Sequence, residues 1–313
     1  MLRRICESAK WPNGCVNNDS ADEKHEEYQY ISLIRDILDS GELIKGRNGN
    51  TLTVCGGTMH FTLENNIIPL LTTKRVAWKT CLKELLWFIS GSTSNHELRN
   101  QNVHIWDGNA SREFLDSRGL QHLPEHDLGP VYGHQWRHFN AKYDGCYVDY
   151  SNEGIDQLKN IIIALKNPDE RHSRRLVMSA WNPCQLDEMA LPPCHILVQF
   201  HVTKDNKLSC SLYQRSGDIG LGVPFNIASY SFLTHLIAKH CGLHAHEFFY
   251  HIGNCHIYDD HIEALREQIK RKPILFPTLN ITKIRETLDD YQFDDFEISN
   301  YNCHKKIKME MRK

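Results

Sequence analysis

Apolar side chains recur at helical spacing in three stretches of the chain and alternate with polar ones in several others. Residues 28–41, 77–90 and 155–165 carry the spacing of amphipathic helices. Residues 51–55, 59–63, 176–181, 196–203, 207–216 and 254–258 have the pattern of strands. The longest stretch without Asp, Glu, Lys or Arg is residues 219–238, and it contains Pro224 and Asn226. These residues favour a buried helix that begins near Pro224 over a membrane span.

Strands and helices are mixed along the chain, and at least one pair of strands is separated by a short turn. We therefore expect an α+β fold, with a mixed, mostly antiparallel sheet surrounded by helices. The long buried helix, about residues 224–240, is expected at its centre. One large domain is expected over residues 26–313, and residues 1–25, which are rich in polar side chains, are predicted to form a flexible tail.

Cys194 follows two prolines at the start of the strand predicted over residues 196–203. A turn at residues 204–206 sends the chain back, so the second strand brings Arg215 and Ser216 opposite Cys194 within a residue or two. A cysteine with an ordinary pKa of about 8.5 is only a few per cent thiolate at neutral pH. A neighbouring guanidinium lowers that pKa, which makes Cys194 a candidate nucleophile. The alternative is that Cys194 is a buried apolar thiol.

Composition narrows the class of protein. The 313 residues include 36 Lys and Arg against 39 Asp and Glu, so no global field favours a nucleic acid or an anionic membrane. Any anion must be bound by local arginines. The eleven cysteines lack CxxC pairs, and no secretory leader is recognisable, so we expect free thiols in a reducing compartment and a cytoplasmic protein.

Four further groups of residues are candidates for chemistry. Glu84 lies beside an apolar helix stripe, where burial would raise its pKa toward neutrality; a carboxylate paired at the edge of the core is the alternative. Arg47 on a Gly/Asn loop and the arginines of residues 171–175 suit an anion, although solvated arginines would look the same. The aromatic and amide residues of 106–137 suit a planar ring or simply fill a core. Cys241, His244 and His246 lack a second pair at zinc spacing, so no metal is expected.

Several stretches together resemble the thymidylate synthase family over residues 26–311. They are residues 69–76, 84–93, 127–139, 179–183, 190–195, 213–229, 256–258 and 307–311, in the family's order. The resemblance implies that a homodimer methylates deoxyuridine monophosphate (dUMP). It also implies 5,10-methylenetetrahydrofolate as carbon donor and reductant, without a metal.

The resemblance also implies a role for individual residues. Cys194 would add to ring carbon six of uracil, Glu84 would move protons, and Tyr132 would help to remove the proton from ring carbon five. The implied catalytic residues are Cys194, Glu84, Tyr132, His195, Asn226 and Asp218. The implied dUMP-binding residues are Arg47, Gln214, Arg215, Ser216, Asn226, His256 and Tyr258, with Arg174 and Arg175 supplied by the partner subunit. The implied folate-binding residues are Lys74, Trp106, Asn109, Asp218, Leu221, Gly222, Phe225 and Met311.

Some positions depart from the family pattern. The loop around Arg47 is shorter and the segment 171–175 is longer than usual, and Arg174 and Arg175 are chosen because they adjoin the strand. Arg312 and Lys313 stand where many members of the family have small apolar residues, in the segment that, by the resemblance, is expected to act as a lid.

Two other functions compete with this one. A nucleic-acid-binding protein that used the arginines would bind in a salt-sensitive way without Cys194; the balanced charge disfavours it. A cytidylate hydroxymethylase would carry Asp at position 226, and the Asn226 amide instead matches the carbonyl and ring N–H of uracil.

Overall fold

The structure is a computed structural model that describes residues 25–46 and 48–312. The predicted tail, apart from His25, and Arg47 lie outside the described residues. Within the described part of the chain the helices are α1 (Tyr28–Ser40), α2 (Trp78–Ile89), α3 (Asn95–Asn100), α4 (Arg112–Ser117), α5 (Tyr132–Arg137), α6 (Gln157–Lys166), α7 (Gly222–His240) and α8 (Ile262–Gln268). The strands are β1 (Glu42–Gly46), β2 (Gly49–Thr62), β3 (Val177–Ser179), β4 (His195–Val202), β5 (Lys207–Asp218), β6 (His244–Tyr258), β7 (Thr278–Ile281) and β8 (Phe296–Ser299).

One six-stranded sheet organises the fold, in the order β1-β2-β6-β5-β4-β3. All neighbouring strands in it run antiparallel except β5 and β6, which are parallel. A parallel pair cannot be joined by a tight turn, and α7 makes the connection. Strands β7 and β8 form a separate two-stranded sheet. The predicted α+β fold with a mixed, mostly antiparallel sheet is confirmed.

Helix α7 packs against β5 and β6, and α2 packs against α7. Most side chains of α7 are buried, from Val223 to His240, which agrees with the absence of charge along residues 219–238. Among the described residues, every helix is too short or too polar to traverse a lipid bilayer.

The opposite face of the sheet carries exposed apolar side chains near its β3 edge. Along β4 the side chains alternate, so that Val198 and Phe200 are buried and Leu197 is 41% exposed. Tyr213 on β5 is 44% exposed and Val177 on β3 is 39% exposed, and Leu197 pairs with Tyr213. This face is therefore an apolar surface of the single chain.

Several predicted boundaries differ from the structure. The strand expected over residues 254–258 begins ten residues earlier, at His244. Residues 51–55 and 59–63 were expected as separate strands but belong to the single strand β2. Its pairing with β6 keeps one register from Thr51 to Thr62, and Gly56 at a positive φ of 81° lies within it. The helix expected from residue 155 begins at Gln157. Ile155 instead pairs with Phe139 in an isolated bridge, and the Asp156 carboxylate caps the helix by accepting from the Lys159 N–H.

Candidate active site

The hairpin formed by β4 and β5 sets Cys194 against Arg215. The Arg215 N–H donates to the Cys194 carbonyl at 2.8 Å, which fixes the two backbones side by side. The guanidinium donates through Nε to the Pro193 carbonyl at 2.7 Å and through Nη2 to the Pro192 carbonyl at 3.0 Å. Nη2 also lies 3.9 Å from the Cys194 sulfur. The predicted opposition of thiol and cation is therefore present, and two carbonyls hold the cation in place.

Burial controls the protonation of the thiol. Burial raises the pKa of Cys194 above its ordinary value, the Arg215 guanidinium lowers it, and Asp218 raises it further. The expectation that the arginine brings the thiol pKa below its ordinary value is wrong for this structure, because loss of hydration outweighs one neighbouring cation. The guanidinium limits the rise without reversing it.

An uncharged network lies behind Cys194. The Cys194 N–H donates to the Tyr132 hydroxyl at 2.8 Å, and the Tyr132 ring stacks on His195 with centroids 4.1 Å apart. His195 Nδ1 lies 2.7 Å from the Tyr230 hydroxyl. Burial lowers the pKa of His195 to about 3 and raises the pKa of Tyr132 well above its ordinary value. Both groups are therefore neutral at physiological pH and position Cys194 without adding charge.

Glu84 on α2 is the ionisable group closest to neutrality in this region. Burial raises its pKa to about 7, while a hydrogen bond from Trp106 Nε1 to Oε1, 2.8 Å long, opposes the rise. The Trp106 ring meets Tyr132 edge-on at 6.2 Å, so the carboxyl group is linked to Cys194 through packed aromatic rings. A carboxyl group with this pKa can both give and take a proton near pH 7. The predicted rise in the pKa of Glu84 is confirmed.

A second charged cluster surrounds Asp218 at the end of β5. Asp218 Oδ1 accepts from the Gly220 N–H at 2.8 Å and lies 3.8 Å from Nδ1 of the buried His261. Burial opposes ionisation of Asp218, but His261, His256 and the Gly220 N–H outweigh it and hold the pKa below its ordinary value. Lys74 is buried nearby and donates to the Gly220 carbonyl; burial lowers its pKa to about 8.

The parallel pair β5 and β6 brings polar residues together at one end of the sheet. Its register places Asp218 opposite His256, and the rings of His256 and Tyr258 meet edge-on at 5.3 Å. On β5, Gln214 Nε2 donates to the Ser216 carbonyl at 2.8 Å, and the Tyr250 hydroxyl donates to Gln214 Oε1 at 2.7 Å. Gln214 is therefore locked as a buried support beneath Ser216.

The first turn of α7 presents an amide toward the same end. The Asn226 side chain is half-buried and makes no hydrogen bond within residues 25–46 and 48–312. Its Oδ1 lies 3.9 Å from the point where a Cβ on Gly222 would sit, and Gly222 in turn adjoins Asp218. Asn109 Nδ2 is buried and has no partner among the described residues. These two amides retain hydrogen-bonding capacity for a ligand.

Comparison with known proteins identifies the family. The family model described as thymidylate synthase matches residues 28–313. The chain belongs to the thymidylate synthase family.

Individual relatives of this family are similar over most of the chain. A bifunctional dihydrofolate reductase-thymidylate synthase from Paramecium tetraurelia is 53% identical over 292 residues, covering 93% of this chain and 62% of the relative. A protein of the same description from Leishmania major is 53% identical, with 92% of this chain and 55% of the relative covered. A probable thymidylate synthase from Schizosaccharomyces pombe is 51% identical, and the match covers 91% of this chain and 47% of the relative. The chain thus spans about half to three fifths of the length of these thymidylate synthase relatives.

Not all of the residues assigned by resemblance line the Cys194 site within one chain. Arg174 and Arg175 are exposed before β3 and make no hydrogen bond or ion pair with Cys194, Arg215 or Ser216 in the described residues. The Met311 side chain is 55% exposed, although the preceding residues Met309 and Glu310 lie against Gly220 and His261, beside Asp218. Arg47 cannot be placed, since it lies outside the described residues. No group of three His, Cys, Asp or Glu side chains suited to a metal is found in the part of the chain that the structure describes.

Sequence analysis missed two residues of this network, Tyr230 and His261. Tyr230 follows Asn226 by four positions on α7 and so shares its face of the helix, which is the signal that was available. His261 was assigned no role from the sequence. Its contact with Asp218 depends on the turn after β6, which the sequence pattern does not specify.

Proposed function

We propose that this protein methylates dUMP to deoxythymidine monophosphate, with 5,10-methylenetetrahydrofolate as carbon donor and reductant. The observation that carries the proposal is the placement of the half-buried Cys194 thiol 3.9 Å from a guanidinium that two carbonyls hold in position. Membership of the thymidylate synthase family supports the substrate pair. Residues 26–313 are proposed to form the catalytic domain, built around α7 as its central helix and preceded by a flexible tail, residues 1–25.

Cys194 provides the nucleophile. After losing its proton, its sulfur forms a bond to ring carbon six of uracil, and the electron pair of the C5–C6 double bond moves to C5 and the C4 carbonyl. Arg215 favours the thiolate that this step consumes. The neutral rings of Tyr132 and His195 keep the backbone of Cys194 fixed during the attack.

Glu84 and Tyr132 handle protons in the later steps. Glu84, with a pKa of about 7, gives a proton to the pyrimidine carbonyl and recovers one as the reaction proceeds. The Tyr132 hydroxyl helps to remove the proton from C5, and the C6–sulfur bond then breaks to release Cys194. When bound, methylenetetrahydrofolate supplies the one-carbon unit and the hydride that together make the methyl group.

Nucleotide recognition uses the end of the β5–β6 pair. Arg215 and Ser216 bind the phosphate, and Arg47 adds a further cation. Asn226 reads the carbonyl and ring N–H of uracil with its free amide, and His256 and Tyr258 contact the sugar hydroxyl. Gln214 supports Ser216 from below.

The residues near α7 fit a folate. The buried, unpartnered Nδ2 of Asn109 needs an acceptor, and the Asp218 carboxylate is ionised and ready to accept from a pterin N–H. Trp106 offers a flat ring beside Glu84. The residues that hold the folate are Lys74, Trp106, Asn109, Asp218, Leu221, Gly222, Phe225 and Met311.

A homodimer completes the site. Val177, Leu197 and Tyr213 form an exposed apolar face on the single chain, which association of two copies would bury. Arg174 and Arg175 precede β3 at the edge of that face, so each chain can supply them to the phosphate site of its partner. We place the enzyme in the cytoplasm, because it carries free cysteines, and we assign it no nucleic-acid or membrane partner.

Mass spectrometry of a trapped adduct tests this function. The protein is incubated with 5-fluoro-dUMP and methylenetetrahydrofolate, since fluorine at C5 prevents the proton removal that completes turnover. We expect a covalent ternary adduct on the peptide that contains Cys194, and dihydrofolate formation with dUMP that requires both substrates. Cys194→Ser should abolish both, whereas Cys184→Ser, which changes an exposed cysteine, should leave both intact. Turnover of deoxycytidine monophosphate instead, or an adduct on another cysteine, would contradict the proposal.

A further inference from the structure

The guanidinium of Arg312 is attached to the turn that follows β6. Its Nη2 lies 3.3 Å from Asp259 Oδ1 and 3.0 Å from Asp260 Oδ1. Its Cζ stands over the Tyr258 ring at 5.8 Å from the centroid, within the range of a cation–π contact. A single side chain thus joins the segment 309–312 to three consecutive residues, one of which is the proposed sugar contact.

The start of β2 completes the environment of Arg312. A Cβ on Gly49 would sit 3.6 Å from the Arg312 Cζ, so the guanidinium packs directly against the glycine backbone. Asn50 Nδ2 donates to Asp259 Oδ2 at 3.2 Å, which orients the carboxylate that Arg312 contacts. The Asp259 carboxylate, one of the two that Arg312 contacts, is therefore held by a neighbour of its own.

The same segment has a second attachment nearer the folate side. His261 Nε2 lies 2.8 Å from the Glu310 carbonyl, while its Nδ1 faces Asp218. The Met309 sulfur lies 3.2 Å from the position that a Cβ on Gly220 would take. Residues 309–312 therefore run from the Asp218 cluster to Tyr258 and contact both halves of the site.

We propose that Arg312 is a positioning residue that holds segment 309–312 docked across the site before either substrate binds. It does so by tying the segment to Tyr258, Asp259 and Asp260. This inference rests on the proposed function, in which Met311 contacts the folate and Tyr258 the nucleotide sugar. The ion pairs are partly exposed, so salt screens them and the attachment is reversible. The segment can then open to admit and release ligands.

Hydrogen exchange of the full chain without ligands tests the attachment directly. We expect Arg312→Gln to speed exchange of the Gly220 amide by about three- to tenfold. This amide donates to Asp218 and lies next to Met309, so it is exposed to water more often once the segment loses its anchor. The matched control is Lys308→Gln. It removes a cation from the same region, but the ion pair of Lys308 is with Glu310 at 3.0 Å, within the neighbouring residues, and it should leave exchange unchanged.

Kinetics then test whether the attachment matters to the reaction. Arg312→Gln should raise KM for methylenetetrahydrofolate severalfold with a smaller change in kcat, and should remove most of the salt dependence of that KM. Arg312→Lys keeps the positive charge, so its KM for methylenetetrahydrofolate should lie between those of wild type and Arg312→Gln.

Equal exchange in wild type and Arg312→Gln would overturn the inference, and so would faster exchange with an unchanged folate KM. Failure of the wild-type protein to form dihydrofolate would refute the proposed function and the positioning role together. The exchange result would still show whether Arg312 anchors the segment.

Discussion

Nη2 of Arg215 lies 3.9 Å from the sulfur of Cys194, and the carbonyls of Pro192 and Pro193 hold the guanidinium there. The cation is thus oriented by acceptors that belong to the same turn as the thiol. Because the backbone fixes this distance, the effect of Arg215 on the thiol can be measured separately from its proposed contact with phosphate.

Replacing Arg215 by Gln should raise the pKa of Cys194. Burial already raises that pKa and Arg215 is the group that lowers it, so its removal leaves burial and Asp218 unopposed. At pH 8 the rate of iodoacetamide alkylation at Cys194 should fall by about threefold or more. The measurement is the pH dependence of alkylation, followed on the Cys194 peptide by mass spectrometry, with the exposed Cys184 as internal control. An unchanged alkylation profile would mean that the guanidinium has no influence on the thiol.

Glu84 should make the protein less stable as the pH rises. Its pKa is about 7 in the folded chain and near 4.5 when unfolded, so the folded state holds the proton more tightly between these values. The stabilisation is complete below pH 4.5 and is lost as pH rises through 7. Glu84→Gln should therefore gain stability relative to wild type between pH 5 and 8, by up to about 3 kcal/mol. Urea unfolding of both proteins across that range measures the difference in their free energies of unfolding. That difference would not change with pH if burial did not raise the pKa of Glu84.

The hydrogen bond from Trp106 should keep the pKa of Glu84 lower than burial alone would set it. The indole N–H stabilises the carboxylate, so Trp106→Phe should raise the pKa of Glu84 further. In the pH dependence of kcat, the transition caused by ionisation of Glu84 should move to higher pH. Trp87→Phe is a control in an adjacent ring, because Trp87 donates instead to the Ser94 carbonyl. A shift of equal size in both variants would show that packing, and not the hydrogen bond, sets the pKa.

Two inactive variants should complement each other if the arginines cross between subunits. Cys194→Ser lacks the nucleophile, and the double variant Arg174→Ala, Arg175→Ala lacks the donated cations. Random exchange of subunits should give about half mixed dimers, each with one intact site, and so restore about a quarter of wild-type activity. The recovery is measured by unfolding the two variants together, refolding the mixture and assaying dihydrofolate formation. Leu197→Glu should abolish it by disrupting the apolar face, and the absence of any recovery with wild-type Leu197 would contradict donation across the interface.

Local patterns predicted much of the fold. The hairpin that pairs Cys194 with Arg215 follows from alternation and a turn, both of which are encoded within about twenty residues. The burial of Glu84 follows from its position beside the apolar stripe of α2. Such features depend on neighbours that are close in sequence, where period and turn chemistry decide the outcome.

Features that depend on distant residues were not predicted. Tyr230 reaches His195 only because α7 packs against β5 and β6, and His261 reaches Asp218 only after β6 has paired with β5. The pKa of Cys194 was misjudged for the same reason: the arginine is visible in the sequence, but the degree of desolvation depends on the whole assembled core.

The parallel pairing of β5 with β6 also constrains how the site can form during folding. Ser216 and Asp218 belong to one strand and His256 to the other, and all of α7 must be spanned before they meet. Closing so long a loop is entropically costly and must precede any gain from the contacts it creates. Partly folded forms of this chain should therefore lack affinity for the nucleotide, and dUMP should selectively stabilise the fully native state.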